Sequence, residues 1–321
     1  LLKNGIKHVL ADTIIDTETR LKIHQQSFSY LKWFNHIHNN EFEFCGRNML
    51  EIIDDNEFQI LLSQKISKIF CIKNILDTEN PEKIVTTYEN HKIIKNLGYN
   101  HEIEFISEIK NKERLFFDTI EINFNSKILP DRISLSRNRY LQIKNLLENI
   151  ISKIYDLEYK NNKQNNLLFV EFNPESYDKL LNEIKNFKMQ PVLINFRRSS
   201  VWSKKSINIL RNSNAKIVTY NHFLDRHDKK KILKNGELFR KKILELFEND
   251  SIFRKIFSID GIEFWNMIKA QVLDMYLSRI EERLSYIVVA EKLFKMQKFQ
   301  AILSLNLSGE TEKIFSDKNN A

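Results

Sequence analysis

Two adjacent arginines, Arg197 and Arg198, stand in the run NFRRSS (195–200), directly after a short apolar stretch. Planar guanidinium groups hold carboxylates and phosphates through paired hydrogen bonds, so this pair suits an anionic ligand. A surface ion pair with Glu171 or Glu175 is the plainer alternative. A second candidate is SGETEK (308–313), where Glu310 and Glu312 follow Gly309 at the expected opening of a helix. Glycine lets the backbone approach a ligand closely, and a carboxylate there can act as a general base if burial lifts its pKa toward working pH. The competing reading is that both acids only complement the helix dipole. Glu171 and Asn173 close another apolar run. His222, Asp225, Arg226 and His227 (HFLDRH) form a compact acid, base and cation cluster, but no third ligand falls at a metal-binding spacing, which favours a surface cluster. Trp202, beside the arginines, offers a ring able to stack on a ligand.

The elements that must position these residues run from 165 to 221. Leu167 to Phe172 (LLFVEF) is a buried-strand pattern closed by Asn173-Pro174, with proline suited to the first turn of a helix. In the helix expected over 175–187, Tyr177, Leu180, Leu181, Ile184 and Phe187 recur at three- and four-residue spacing. Gln190 to Ile194 is the next strand, a helix over 203–212 follows, and Ala215 to Tyr220 is the third strand. Strands joined by single short helices pair in parallel through right-handed crossovers. The fold class is therefore α/β: a Rossmann-like parallel sheet with helices on both faces, its strands being 167–172, 191–195, 216–220 and 300–305. In such sheets ligands bind beyond the carboxyl ends of the strands, so Glu171, Asn173, Arg197, Arg198, His222 and Glu310 are expected to line one crevice.

Around this unit the pattern predicts an N-terminal α/β segment over 1–160 and a Rossmann-like unit over 161–321 with a helical insertion at 222–297. The N-terminal segment holds a weak strand at Ile6 to Leu10 and a helix from 18 to 34 ending at Trp33. Helices over 47–54 and 56–77 follow, then a strand at 84–87, a hairpin of 103–109 with 115–124, and a helix from 134 to 157. In the insertion, Gly236 and Gly261 are expected to interrupt helices, and one long helix over 262–296 is expected to bury Trp265, Ile268, Val272, Met275 and Ile287.

The chain has 321 residues, with 50 Lys and Arg against 42 Asp and Glu, for a formal charge of +8. Two cysteines, Cys45 and Cys71, have no metal-ligand or redox spacing, so inert thiols in a reducing compartment are expected. No stretch reaches the roughly 18 apolar residues of a transmembrane span. The densest basic stretch, Arg226 to Lys242, also carries Asp228 and Glu237, which points to a solvated helix face.

Three stretches together carry a resemblance: 167–202 (LLFVEFNPESYDKLLNEIKNFKMQPVLINFRRSSVW), 258–269 (SIDGIEFWNMIK) and 301–313 (AILSLNLSGETEK). They resemble the amino-terminal half of GT-B type glycosyltransferases of microbial surface carbohydrate, a group that includes capsule and polysialic-acid-like polymerising enzymes. The resemblance implies the acceptor-side domain of a transferase with Glu310 as general base. Arg197, Arg198, Glu171, Asn173, His222, Trp202 and Glu312 would contact substrate. It implies a nucleotide-sugar co-substrate and no metal or other cofactor, an anionic glycan or lipid-linked acceptor, and a cytoplasmic setting with peripheral membrane association. The family's donor domain carries a His-Gly or His-Pro turn that is not found here. A chain beginning at Leu1 and ending at Ala321, part-way into a helix, leads us to expect a longer parent with that donor domain. Two other readings stay open: a nucleic-acid-binding α/β module using the basic helix 226–242, and a non-catalytic scaffold subunit of glycan assembly.

Overall fold

The computed structural model describes residues 11–37, 40–106, 115, 118–123, 132–160 and 165–316. Four apolar runs become a parallel sheet: β1 (Asn166–Val170), β2 (Gln190–Ile194), β3 (Lys216–Ile217) and β4 (Ala301–Ser304). Their spatial order is β4-β1-β2-β3. Leu168 pairs with Val192 on one side and Ile302 on the other, in parallel register. The four expected strands are thus present and parallel, three of them shorter than expected. β1 stops at Val170 because Glu171 takes a left-handed conformation (φ 59°), and β3 gives way to a helical turn at Tyr220–Phe223.

Before the sheet lies helix α1 (Arg137–Ile154), and between its strands lie α2 (Asp178–Asn186) and α3 (Lys204–Asn212). α3 opens with a capping box in which Ser203 and Ser206 satisfy one another's backbone N–H groups. Leu181 and Ile184 of α2, Ile209 and Leu210 of α3, and Phe169 and Leu193 of the strands form one apolar cluster, with Ile151 of α1 against it. Side chains alternate along a strand, so Leu168, Val170, Val192 and Ile194 face the other way, and they are just as buried. The chain returns to that opposite face through α4 (Ile280–Met296) and, after β4, α5 (Glu310–Ser316). Phe315 of α5 packs on Phe196 and Phe294. The order of strands reverses between β1 and β4, which makes their carboxyl ends the topological switch point.

Contacts divide the chain into two compact units, each assembled from three stretches. Unit 2, comprising Asn40–Asp54, Phe116–Lys241 and Arg279–Ala321, contains the sheet. Unit 1 comprises Leu1–Asn39, Asp55–Leu115 and Lys242–Ser278. Its core is aromatic: the Trp265 ring stacks on Phe253 at 4.4 Å and on Phe257 at 5.3 Å, while Trp33 packs edge-on against Phe247 and Tyr276. The Trp265 indole N–H donates to Asp250 at 2.8 Å, so the ring is buried without an orphaned donor.

Several expectations are corrected. The expected helix over 47–54 is instead a tight hairpin, Glu43–Phe44 with Arg47–Asn48, turning at Cys45 and Gly46, both left-handed. Residues 102–105 do not form a hairpin with 115–124. They pair in parallel with 83–86 across the helix Tyr88–Asn96, and Thr119–Asn123 pairs antiparallel with Arg132–Ser136. Residues 132–136 are therefore extended, and α1 begins at Arg137 rather than near 134. The helix Arg226–Glu248 runs straight through Gly236, where a Cβ would meet the Glu281 carboxylate at 3.0 Å, so the glycine makes room for a neighbour. The expected single helix over 262–296 buries the five named residues, but it is broken at Arg279, which leaves helical geometry at φ −124° and ψ 13°. The strand expected at Ile6 to Leu10 lies outside the described residues.

Candidate functional site

Glu171 is the first residue past β1, and its left-handed backbone turns the side chain across the carboxyl end of β2. Its Oε1 accepts from the backbone N–H of Phe196 at 2.8 Å and of Arg197 at 3.0 Å. A bulky residue in this conformation is strained and is held only by its surroundings. Two N–H bonds to one carboxylate oxygen are such a hold. Phe196 is itself pinned by stacking on Tyr286 of α4 at 4.0 Å.

With the loop so fixed, Arg197 reaches three carboxylates. Its Nη1 lies 3.0 Å from Asp54 Oδ2, its Nη2 hydrogen-bonds Glu312 Oε1, and its Nε lies 4.0 Å from Glu171 Oε2. Glu312 comes from the first turn of α5. A Cβ on Gly309 would fall 2.1 Å from Glu312 Oε2 and 2.8 Å from Arg197 Nη2, so only glycine admits the pair at this distance. Three carboxylates around one guanidinium leave an excess of negative charge. Burial therefore pushes the Glu312 carboxyl up to about 7, with Glu171 and Asp54 adding to the rise and Arg197 opposing it. Burial alone would lower the Arg197 pKa, but the surrounding carboxylates raise it above the ordinary value. Glu312 Oε2 is buried and accepts no hydrogen bond among the described residues.

Glu310 does something else. Its Oε1 takes both Nε (3.0 Å) and Nη2 (2.7 Å) of Arg283, and Arg279 and Arg137 each approach to 3.8 Å. Burial would raise its pKa, but the three guanidiniums hold it down to about 2. A carboxylate so acidic and so fully engaged has no tendency to accept a proton at neutral pH. Its role is to clamp α5 against α4. Glu282, paired with Arg137, and Asp118, 3.5 Å from Arg279, add further negative charge beside the three guanidiniums. The geometry therefore does not suit Glu310 to the general-base role expected from sequence, and of the two acids it is Glu312 whose pKa is raised.

No significant match is found among protein-family models, curated proteins or solved structures.

Of the residues expected to line one crevice, Glu171 and Arg197 meet at the switch point; Glu312, expected only as a substrate contact, and Asp54 join them. Sequence reasoning missed Asp54 because it lies more than a hundred residues from every partner, at the end of a segment whose pattern predicts a helix rather than a strand. Arg198 is exposed. Trp202 is also exposed, its ring stacked on Tyr140 at 5.9 Å. Asn173 is exposed and uses its Oδ1 to accept the Glu175 N–H at 3.0 Å, a local turn cap. His222 sits beyond β3 with its Nδ1 3.4 Å from Glu158 and does not reach the cluster. A second missed group lies beneath the loop: Glu148 accepts the Ser200 N–H at 2.7 Å and the Lys144 ammonium at 2.8 Å, both side chains being buried. Together with Asn195, which donates to Phe172 O and Ser200 Oγ, this pair fixes the segment that carries Arg197. Within the basic stretch, Arg240 pairs with Glu281, and Asp225 and Asp228 hold Lys292. Among the described residues no group of three or more His, Cys, Asp or Glu is arranged to hold a metal ion, and no helix is long and apolar enough to cross a membrane.

Proposed function

We propose that this chain carries the acceptor-side half of a GT-B type glycosyltransferase, with Glu312 as the general base. The observation that carries the reading is a buried carboxyl with a pKa near 7, bonded to an arginine, at the switch point of a parallel sheet. Glycosyl transfer to a hydroxyl requires one proton to leave the acceptor as its oxygen bonds to the anomeric carbon. The bond from that carbon to the donor phosphate breaks, and the nucleotide departs with the electron pair. A base with a pKa close to working pH is the most effective partner for that proton. Arg197 orients Glu312 through the hydrogen bond from its Nη2. The Rossmann-like placement of the site beyond β1, β2 and β4 supports the same reading.

The test is transfer by the purified full-length protein from a panel of nucleotide sugars to anionic oligosaccharides and lipid-linked acceptors, with products weighed by mass spectrometry. Glu312→Gln is expected to lower kcat by about 10²- to 10⁴-fold with KM for acceptor nearly unchanged. Normal turnover by that variant would remove Glu312 from the mechanism, and absence of any transfer across the panel would remove the transferase reading.

A further inference from the structure

Helix α1 buries a polar side and shows an apolar one. The buried side carries Tyr140, Lys144, Glu148 and Ser152, while Ile143, Leu146, Ile150 and Ile154 are 43%, 58%, 46% and 69% exposed. Glu148 accounts for the first half of this arrangement, since it holds the Ser200 N–H inside the fold. Nothing inside the fold calls for the outer side to be apolar, and contiguous exposed apolar surface marks an interaction site. The four aliphatic chains follow one another at spacings of three, four and four residues, which makes one stripe roughly 16 Å long. At 3.6 residues per turn they span only about 80° of the helix surface, with Gln142 and Asn149 bounding them on one side. A helix laid on a broad apolar surface presents a face of at least about 100°, whereas a stripe this narrow is the seam by which one helix packs on another. The backbone groups of α1 are bonded within the helix, so it offers a partner side chains only. An extended peptide laid along the stripe would have main-chain groups left unpaired, and a helix would not.

The chemistry of that partner is decided by charge. Tyr140 stacks on Trp202, just before α3, and the Arg211 guanidinium at the end of α3 lies 5.7 Å from the Tyr155 ring, so α1 and α3 lie side by side and parallel. Arg139, Lys153, Lys204 and Lys205 are exposed, and none of them has an ion-pair partner among the described residues. α3 has no acidic residue, and the single acid of α1, Glu148, is buried. Asp156, just past α1, is taken by Lys216 and Lys160. Arg139 stands four residues before Ile143 and Lys153 three after Ile150, so the two cations close the ends of the stripe, roughly 21 Å apart along the axis. A second copy of the chain would set these cations against their own counterparts with no acid between them, which is repulsive. A helix with aliphatic side chains at its centre and carboxylates toward its ends and along one flank meets every feature of the surface. We infer that the α1 stripe, with the cations of α1 and α3, binds an acidic amphipathic helix of another protein. This inference does not rest on the glycosyltransferase reading, and its test requires no turnover.

The experiment is fluorescence anisotropy of the full chain with three labelled helical peptides, each about three heptads long. One carries leucine along a seam with glutamate flanking it, the second has lysine in place of every glutamate, and the third has the composition of the first with the seam scrambled. Wild type is expected to bind the first at least about tenfold more tightly than either of the others, and more weakly as salt is raised. The double variant Leu146→Asp, Ile150→Asp, with unchanged circular dichroism, is expected to lose about tenfold or more of that affinity, because it removes the centre of the apolar contact. The double variant Arg139→Glu, Lys153→Glu is expected to reverse the preference and take the lysine peptide over the glutamate one, a gain of binding that a merely damaged protein would not show. Equal binding of the three peptides, or binding that Leu146→Asp, Ile150→Asp leaves intact, overturns the inference. So does a dimer in solution that this variant dissociates, or sedimentation with anionic vesicles that it abolishes while no peptide is preferred.

Discussion

At the scale of single residues, two glutamates one position apart on each side of Thr311 have been driven in opposite directions by their neighbours. Glu310 has a folded pKa of about 2 against an ordinary 4.5, so its contribution to stability is complete above about 4.5 and is lost as pH falls toward 2. Glu312 is raised to about 7, so the folded state binds its proton more tightly than the unfolded chain does. Stability from Glu312 is therefore present below about 4.5 and declines as pH rises through 7, a span equivalent to about 3 kcal/mol at most. Urea unfolding midpoints measured across this range should show a decline from acid to neutral pH that Glu312→Gln flattens. The same titration sets the rate: transferase activity should rise with pH through about 7 as the carboxylate forms, and this limb should vanish from what activity Glu312→Gln retains. Arg197→Ala should leave Glu312 harder to ionise, moving the limb to higher pH.

At the scale of elements, α5 is a two-turn helix whose position depends on what its first turn holds. Glu310 ties it to α4 through Arg283, and Glu312 ties it to the loop after β2 through Arg197. Removing the charge of Glu310 leaves buried guanidiniums uncompensated, which typically costs about 3–5 kcal/mol. Glu310→Gln should therefore lower the denaturation midpoint far more than Glu312→Gln does at neutral pH. A Glu310→Gln protein as stable as wild type would remove the clamp. Gly309→Ala is expected to be destabilising by about 1–3 kcal/mol, because the added methyl group occupies the space of the Glu312 carboxylate. It should also displace Glu312 from Arg197, and the pH limb near 7 reports that separately from stability.

At the scale of the whole molecule, the two units draw on different kinds of core. Unit 2 is held by aliphatic and phenylalanine side chains on a parallel sheet, and unit 1 by a cluster of stacked and edge-packed rings around Trp33 and Trp265. Each ring in that cluster has several ring neighbours, so deleting one leaves a cavity that the others cannot fill by small shifts. Trp33→Ala is expected to cost about 3–5 kcal/mol and to remove much of the near-ultraviolet circular dichroism. A loss below about 1 kcal/mol would mean that the cluster is not a single packed core.

The sequence by itself determined the parallel sheet and its helices. Leu167–Val170, Val192–Ile194 and Ala301–Ser304 are short apolar runs separated by three- and four-residue periodicities, and local pattern alone fixes such elements. It also placed Glu171, Arg197 and Glu310 beyond the carboxyl ends of strands, since β-α-β connection has one favoured hand. Only the tertiary structure decided which carboxylate would be the weak acid. Glu310 and Glu312 occupy the same turn and look alike in sequence, but one turns toward three arginines of its own unit and the other toward Glu171, Asp54 and a single arginine. Burial and neighbouring charge set a pKa, and these come from residues up to 258 positions away, as Asp54 is from Glu312. The same holds for α1, whose periodicity declares an amphipathic helix but not which side is inward. The buried bond from Glu148 to the Ser200 N–H fixes that choice, and it leaves the aliphatic side outside.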